Sequence, residues 1–94
     1  PNIQEAKTLG RSLLDNGLVA CIQIQVGVYS IYRWDDQICE ETEVLLSAKT
    51  NETSWPALES YIVEHHPYDL PEIIALSPSQ HSEAYGAWVS KELK

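Results

Sequence analysis

The stretch LVACIQIQVGVYSIYRW, residues 18–34, decides the fold because its apolar residues alternate with polar ones. Gln23 and Gln25 fall on one face of an extended chain, and the other face carries Ala20, Ile22, Ile24, Val26 and Val28. This period of two predicts a β-strand with one buried side. The alternation slips between Gly27 and Ser30, which predicts a β-bulge that bends one long strand.

A turn and a second long strand follow. Asp35 and Asp36 are a turn signal, and residues 38–49 place Val44, Leu46 and Ala48 on the side of the core. Both strands are long for a domain of 94 residues. The hairpin is expected to extend beyond its helices and to expose strand edges. Pairing with another subunit would cover those edges, so the pattern favours an oligomer.

Helical spacing of apolar residues predicts a first helix from Asn2 to Asn16. Asn2 and Glu5 have the spacing of a capping box, and Gly17 suits the left-handed residue that ends a helix. A second helix follows the capping residues 51–54 and ends at Pro67, with an inward stripe of Trp55, Leu58, Ile62 and His65. A third helix spans residues 82–93, with Tyr85, Trp88, Val89 and Leu93 facing inward.

Between the last two helices, EIIAL at residues 72–76 predicts a short buried strand. The order α-β-β-α-β-α then predicts an α/β (α+β) sandwich of two layers, in which helices cover one face of a mostly antiparallel sheet. The chain length indicates one domain, residues 1–94.

Charge and cysteine content limit the function. Six basic and fourteen acidic residues give a net charge of −8, which repels phosphate backbones and anionic membranes. We therefore expect no nucleic-acid partner and no membrane partner. Cys21 and Cys39 lack the pattern of a disulfide scaffold, so reduced thiols and a cytoplasmic location are expected. No signal peptide or apolar run of membrane length is recognisable.

Three motifs carry a family resemblance. GLVACIQI at 17–24, SIYRWDDQICEETEVLLSAKT at 30–50 and HHPYDLPEII at 65–74 occur in this order, and a helix with a tryptophan follows. Over essentially its whole length the chain resembles the CutA family, the divalent-cation tolerance proteins. The resemblance implies a ferredoxin-like fold with PII-like architecture, a long central antiparallel hairpin and assembly as a homotrimer.

The family also implies a strand before the first helix, in the order β-α-β-β-α-β-α. This first strand has no counterpart in the chain. We expect that the sequence lacks residues that the protein possesses, because the loss of an interior strand would leave two rows of backbone groups unpaired.

The segment EHHPYDLPE, residues 64–72, contains a histidine pair. Neighbouring side chains in a helix point about 100° apart, but His66 precedes Pro67 and is pushed toward extended backbone, which can bring both imidazoles to one side. Imidazole suits copper, zinc and nickel. By resemblance to CutA proteins that bind copper, His65 and His66 are candidate ligands of a divalent metal ion. The third candidate ligand of those proteins is a cysteine on the first strand, which has no counterpart here. The family also has a cysteine at the position of Cys21, near the cleft, which adds a candidate for a metal or redox role.

The alternative interpretation of these residues is structural. His65 would pack inward, His66 would cap a carbonyl at the helix end, and Cys21 would be a small buried apolar side chain. Pro67, Tyr68 and Pro71 would then form a rigid connector, because the fixed φ angles of the two prolines lower the entropy cost of the turn.

The resemblance further implies a ligand-binding cleft between subunits. Its candidate residues are Tyr32, Trp34, Glu41, Lys49, Tyr68 and Glu72, with His66 beside them. Aromatic rings, one lysine and carboxylates are typical of a small-ligand site. Cross-strand ion pairs of Arg33 with Glu41 and Glu43 of the second strand are the alternative.

No G-x-S-x-G, Gly-rich phosphate loop or HExxH motif occurs, so we expect no enzyme. The leading hypothesis is a trimeric divalent-cation tolerance protein that binds a divalent metal, with copper as the first candidate, and that acts in the response to metal ions. The alternatives are a PII-like sensor that holds an anionic small molecule in the cleft with Lys49, and a trimeric interaction scaffold.

Overall fold

A computed structural model describes residues 2–66 and 72–94 of the chain. In chain order its elements are α1 (Ile3–Asp15), β1 (Cys21–Trp34), β2 (Gln37–Lys49), α2 (Trp55–His65) and α3 (Glu83–Glu92). No helix of these described residues is long and apolar enough to span a membrane. The mixture of helices with an antiparallel hairpin is the one that the sequence predicts.

Helix α1 begins and ends as its sequence predicts. Asn2 Oδ1 accepts a hydrogen bond from the backbone N–H of Glu5 at 2.8 Å, and Asn2 Nδ2 donates to Glu5 Oε1 at 3.3 Å. The first contact satisfies a backbone donor of the first turn, which lacks a helical partner, and the second joins the two side chains. At the other end Gly17 has φ of 68°, the left-handed conformation that stops a helix.

Strands β1 and β2 form an antiparallel hairpin. Asp35 and Asp36 have φ of 50° and 62°, and positive values at both central residues are what a two-residue type I′ turn requires. The predicted bulge is confirmed: the pairing shifts between Gln25 and Val28, and Gly27 lies there with φ of 82°. One additional residue on β1 thus bends the strand.

The bulge also changes which residues share a face, because side chains alternate along a strand. Val28 pairs with Glu43 and therefore leaves the face of Ile22 and Ile24, where the unbroken alternation placed it. Arg33 pairs with Ile38 and lies on the opposite face from Glu43. The alternative of ion pairs between Arg33 and the acidic residues on the face of Glu43 is therefore wrong.

The core lies where α1 and α2 cover the base of the hairpin. Leu13, Val19 and Leu58 form its buried cluster, and Trp55 packs against it as predicted. At Gly10 a β-carbon would lie 3.1 Å from Ile22, so a small residue here allows α1 to approach the sheet closely. No described helix covers the tip of the hairpin in this way, and the molecule extends to 45 Å along its longest axis.

Helix α3 packs less closely than its sequence pattern predicts. Ser82 Oγ caps it by accepting from the backbone N–H of Tyr85 at 3.1 Å. Val89 is buried, but Tyr85 and Trp88 keep about two fifths of their surface exposed. The predicted inward stripe is therefore only partly correct in the single chain.

The predicted strand at residues 72–76 is neither helical nor paired with another strand of the described residues. Ile74 is 68% exposed and Leu76 is 88% exposed, so the segment is also not buried. A strand requires a hydrogen-bonded neighbour, and within the described residues β2 is paired only with β1. Between β2 and residues 72–78 the structure leaves an open cavity of about 1690 Å³, which α1, α2 and α3 also line.

Candidate functional site

The histidine pair lies at the end of α2. His65 is its last residue and is exposed, so the expectation that it packs inward is wrong. Its ring stacks on Tyr61, with centroids 4.0 Å apart, and its Nδ1 lies 2.8 Å from the carbonyl oxygen of Tyr61. A donor role for Nδ1 leaves the lone pair of Nε2 for a ligand, which is the usual arrangement of a metal-binding histidine.

His66 has the extended backbone that its position before a proline predicts, with φ of −80° and ψ of 140°. Its backbone N–H donates to the carbonyl of Ile62 at 2.8 Å and so caps α2. The side chain is half-buried, and this burial lowers the pKa of His66 from its ordinary value. The imidazole is therefore mainly neutral at neutral pH, which is the form that binds metal.

Cys21 is the first residue of β1 and carries a free, half-buried thiol. Its Sγ lies 3.6 Å from the hydroxyl of Tyr85 on α3. This contact raises the pKa of Tyr85. Directly opposite on β2 is Lys49, so the thiol sits at the base of the hairpin.

Within one chain Cys21 does not join the histidine pair. Helix α2 starts six residues after Lys49, and His65 at its other end lies about 15 Å from Trp55 along the helix axis. Across residues 2–66 and 72–94, no three His, Cys, Asp or Glu side chains are close enough to hold one metal ion. The two histidines fit a metal by their chemistry, but a complete ligand set needs groups from elsewhere.

Four candidate cleft residues share one face of the hairpin, and the bulge is the reason. Tyr32 pairs with Cys39 and Trp34 with Gln37, which places both on the face of Glu41 and Lys49. Without the additional residue in β1 they would lie on the opposite face. The structure thus brings Tyr32, Trp34, Glu41 and Lys49 to one surface.

The four residues on this face nevertheless lie at two opposite ends of the hairpin. Tyr32 and Glu41 meet near the tip, where their hydrogen bond raises the pKa of Tyr32 to about 12. The neutral phenol is therefore favoured in the folded state, and the stability from this contact is lost as the pH rises from 10 toward 12. Lys49 is eight residues from Glu41 along β2, or about 26 Å away. Within one chain the two ends therefore do not form one compact site.

The remaining candidates are less well defined. Tyr68 lies outside the described residues. Glu72 is exposed and lines the cavity of about 1690 Å³, whose wall also includes His65 and His66. This part of the prediction stays a prediction.

Several contacts were not expected from the sequence. Tyr61 is four residues before His65, and this helical spacing was a usable signal for their stacking. Tyr85 is 64 residues from Cys21, so no local pattern could indicate that contact. Gln23 accepts a hydrogen bond from Lys49 at 3.0 Å, which becomes visible only once the register of the hairpin is known.

Known proteins share this sequence and fold. The family model described as CutA1 divalent ion tolerance protein matches residues 1–92. The divalent-cation tolerance protein CutA of Thermus thermophilus is 36% identical over 89 residues, which cover 95% of this chain and 86% of that protein. Human protein CutA is 37% identical over 89 residues, which cover 95% of this chain and 50% of that protein. The chain thus spans about half the length of the human relative.

Solved structures agree with these sequence matches. A divalent cation tolerance protein (CutA1) structure from Thermus thermophilus superimposes with a TM-score of 0.95 at 34% identity, covering 100% of this chain and 91% of that one. CutA1 from Oryza sativa gives a TM-score of 0.95 at 33% identity, with 100% and 86% coverage. The predicted ferredoxin-like fold with PII-like architecture is confirmed. The chain belongs to the CutA1 divalent ion tolerance family.

Proposed function

We propose that the protein is a non-enzymatic homotrimer that binds a divalent metal ion, with copper as the first candidate. It acts in the cytoplasm, in the response to metal ions. The observation that carries the proposal is the contact of His65 Nδ1 with the Tyr61 carbonyl at 2.8 Å. It orients an exposed imidazole next to a second histidine whose burial favours the neutral form.

The chemistry of the residues favours copper over harder ions. Imidazole nitrogen and thiolate sulfur suit copper and zinc, whereas magnesium and calcium prefer oxygen ligands. His65 and His66 would hold the ion, and Cys21 is the candidate soft ligand. Because one chain keeps Cys21 apart from the histidines, we infer that neighbouring subunits complete the ligand set.

Two further features support assembly and location. The apolar side chains of the hairpin are widely exposed in the single chain, and such surfaces mark protein contacts. The two ends of the candidate cleft also lie too far apart to serve one ligand within one chain. Both cysteines are free thiols, which fits a reducing compartment.

Calorimetric titration of Cu(II) into the purified protein tests the metal proposal. The His65→Ala/His66→Ala double variant should bind copper at least tenfold more weakly, a change of about 1.4 kcal/mol in binding free energy. His81→Ala is the matched control, because His81 is also exposed and its Nδ1 likewise contacts a backbone carbonyl, that of Ser82 at 2.9 Å. Its loss should leave copper affinity unchanged.

Equal affinity in the wild type and the double variant would reject the histidines as ligands. A loss of affinity in the His81→Ala variant as large as in the double variant would indicate non-specific binding to surface imidazoles. Replacement of Cys21 by serine separates the soft ligand from the histidine pair: weaker copper binding with an unchanged oligomer would add Cys21 to the ligand set.

A further inference from the structure

Lys94, which follows α3, contacts the carboxyl end of α1. Its Nζ donates a hydrogen bond to the carbonyl oxygen of Asp15 at 2.9 Å, and its backbone N–H donates to the carbonyl oxygen of Gly17 at 3.0 Å. The last carbonyl groups of a helix lack helical partners, and a cation close to them is stabilising. Helix α1 has no basic residue in its own last turn, so Lys94 supplies this cation from 79 residues away.

Gly17 makes room for this contact. It is buried, and a β-carbon at this position would overlap the side chain of Lys94. The lysine stem therefore lies directly on the backbone that ends α1. The contact of Lys94 with Asp15 and Gly17 is called the Lys94 latch. It attaches the C-terminal end of α3, because Leu93, the C-cap of that helix, directly precedes Lys94.

Helix α3 has few other attachments in the described part of the chain. Within residues 83–92, all of which the structure describes, Val89 is the only buried side chain. The hydroxyl of Tyr85 lies 3.6 Å from Sγ of Cys21, whereas the ring of Tyr85 packs on Trp88 of the same helix. A helix of ten residues is marginal by itself in water. Segments with few buried apolar contacts open locally at a lower free energy than the core.

We propose that α3 is a lid that opens as a unit while α1, α2 and the hairpin stay folded, and that the Lys94 latch sets how often it opens. In the closed state Tyr85 lies against the Cys21 thiol, and α3 forms part of the wall of the cavity of about 1690 Å³. Opening would therefore expose the thiol and widen the cavity. The opening does not depend on whether Cys21 binds a metal ion.

Hydrogen exchange of backbone amides, measured on the metal-free protein in its native oligomeric state, tests this opening. In the wild type, the amides of residues 86–92 should exchange faster than the paired amides of β1, which open only with the core. Lys94→Met removes the Nζ contact and should accelerate exchange in α3 about fivefold, the effect of one such hydrogen bond, without changing β1. Lys91→Met removes an exposed lysine of α3 and is the matched control, which should leave exchange unchanged.

The reactivity of Cys21 gives a second readout. Iodoacetamide labelling, resolved by peptide mass spectrometry, separates Cys21 from Cys39, which lies near the tip of the hairpin and is the internal reference. In Lys94→Met the labelling of Cys21 should accelerate by the same factor as exchange in α3, and the labelling of Cys39 should stay constant.

Exchange in α3 as slow as in β1 would overturn the proposal, because α3 would then open only with the core. Equal acceleration of both elements in Lys94→Met would also overturn it, since Lys94 would then act on global stability. An equally large effect in Lys91→Met would assign the change to the charge at the end of α3 and reject the latch. Faster exchange in α3 without faster labelling of Cys21 would reject α3 as the cover of this thiol.

Discussion

At the scale of single residues, backbone constraints determine most of what the sequence predicts correctly. His66 is extended because a proline follows it, and Gly17 is left-handed because it ends a helix. His65 differs from expectation, since its place on the helical stripe suggested burial and the structure exposes it. Burial depends on what packs against a helix end, and the sequence does not state this.

Gly17 and Gly27 allow a matched test of backbone strain. Both have positive φ, so alanine at either position should cost about 1–2 kcal/mol of unfolding free energy. A β-carbon at Gly27 meets nothing within 4 Å, whereas one at Gly17 would overlap the side chain of Lys94. Gly17→Ala should therefore be more destabilising than Gly27→Ala, by about 1 kcal/mol for a lost hydrogen bond of Lys94.

Urea unfolding at one fixed protein concentration measures both variants, because stability of an oligomer depends on concentration. Equal losses in the two variants would show that Lys94 moves away from Gly17 at no cost.

At the scale of elements, the hairpin shows how one residue changes a surface. The additional residue at the bulge turns Tyr32 and Trp34 to the face of Glu41 and Lys49. Alternation in the sequence predicts the strand and the region of the slip. Which face carries Tyr32 and Trp34 becomes certain only from the pairing register. A bulge can fall at several neighbouring positions, and its position decides which residues change face.

Substitutions in the turn of the hairpin should raise the stability of the protein. Asp35 and Asp36 both adopt positive φ, a conformation that Asn-Gly adopts at lower cost. Asp35→Asn/Asp36→Gly should raise the unfolding free energy by about 1 kcal/mol. Asp35→Asn/Asp36→Ala removes the same charges and is the control, and it should not be more stable than the wild type. Thermal and urea unfolding measure both. A gain in the alanine control as well would assign the effect to charge rather than to backbone conformation.

At the scale of the whole molecule, the small core contrasts with the large exposed apolar surface. Among residues 2–66 and 72–94 five apolar residues are buried, whereas the hairpin leaves Tyr29, Ile31 and Ile38 about 60% exposed. These three share one face of the tip, which is here named the apolar tip face. A domain of this size has few apolar contacts to spare, so covering the apolar tip face would stabilise it.

A charge on the apolar tip face should therefore break the proposed trimer. We expect Ile31→Glu to reduce the particle mass from three times the 10.6 kDa chain mass toward one chain, because burial of an unpaired carboxylate is costly. Val63→Glu is the control, since Val63 on α2 is similarly exposed, at 56%. Light scattering after gel filtration gives the masses. A wild-type protein that is already a monomer would refute the trimer, and an intact trimer in Ile31→Glu would refute this face as its contact.

The sequence by itself determined the elements. Periodicity, capping residues, the Asp35–Asp36 turn and the glycine at the bulge are local constraints, and they fix helices and strands through backbone geometry and side-chain alternation. Only the tertiary structure decided which side chains meet: Cys21 with Tyr85, Lys49 with Gln23, and the separation of Cys21 from the histidines. Residues 72–76 show the same difference between sequence and tertiary structure. Their apolar pattern suits a strand, but a strand forms only with hydrogen bonds to a neighbouring strand. Contacts between distant parts of the chain follow from register and packing, which no short stretch of sequence contains.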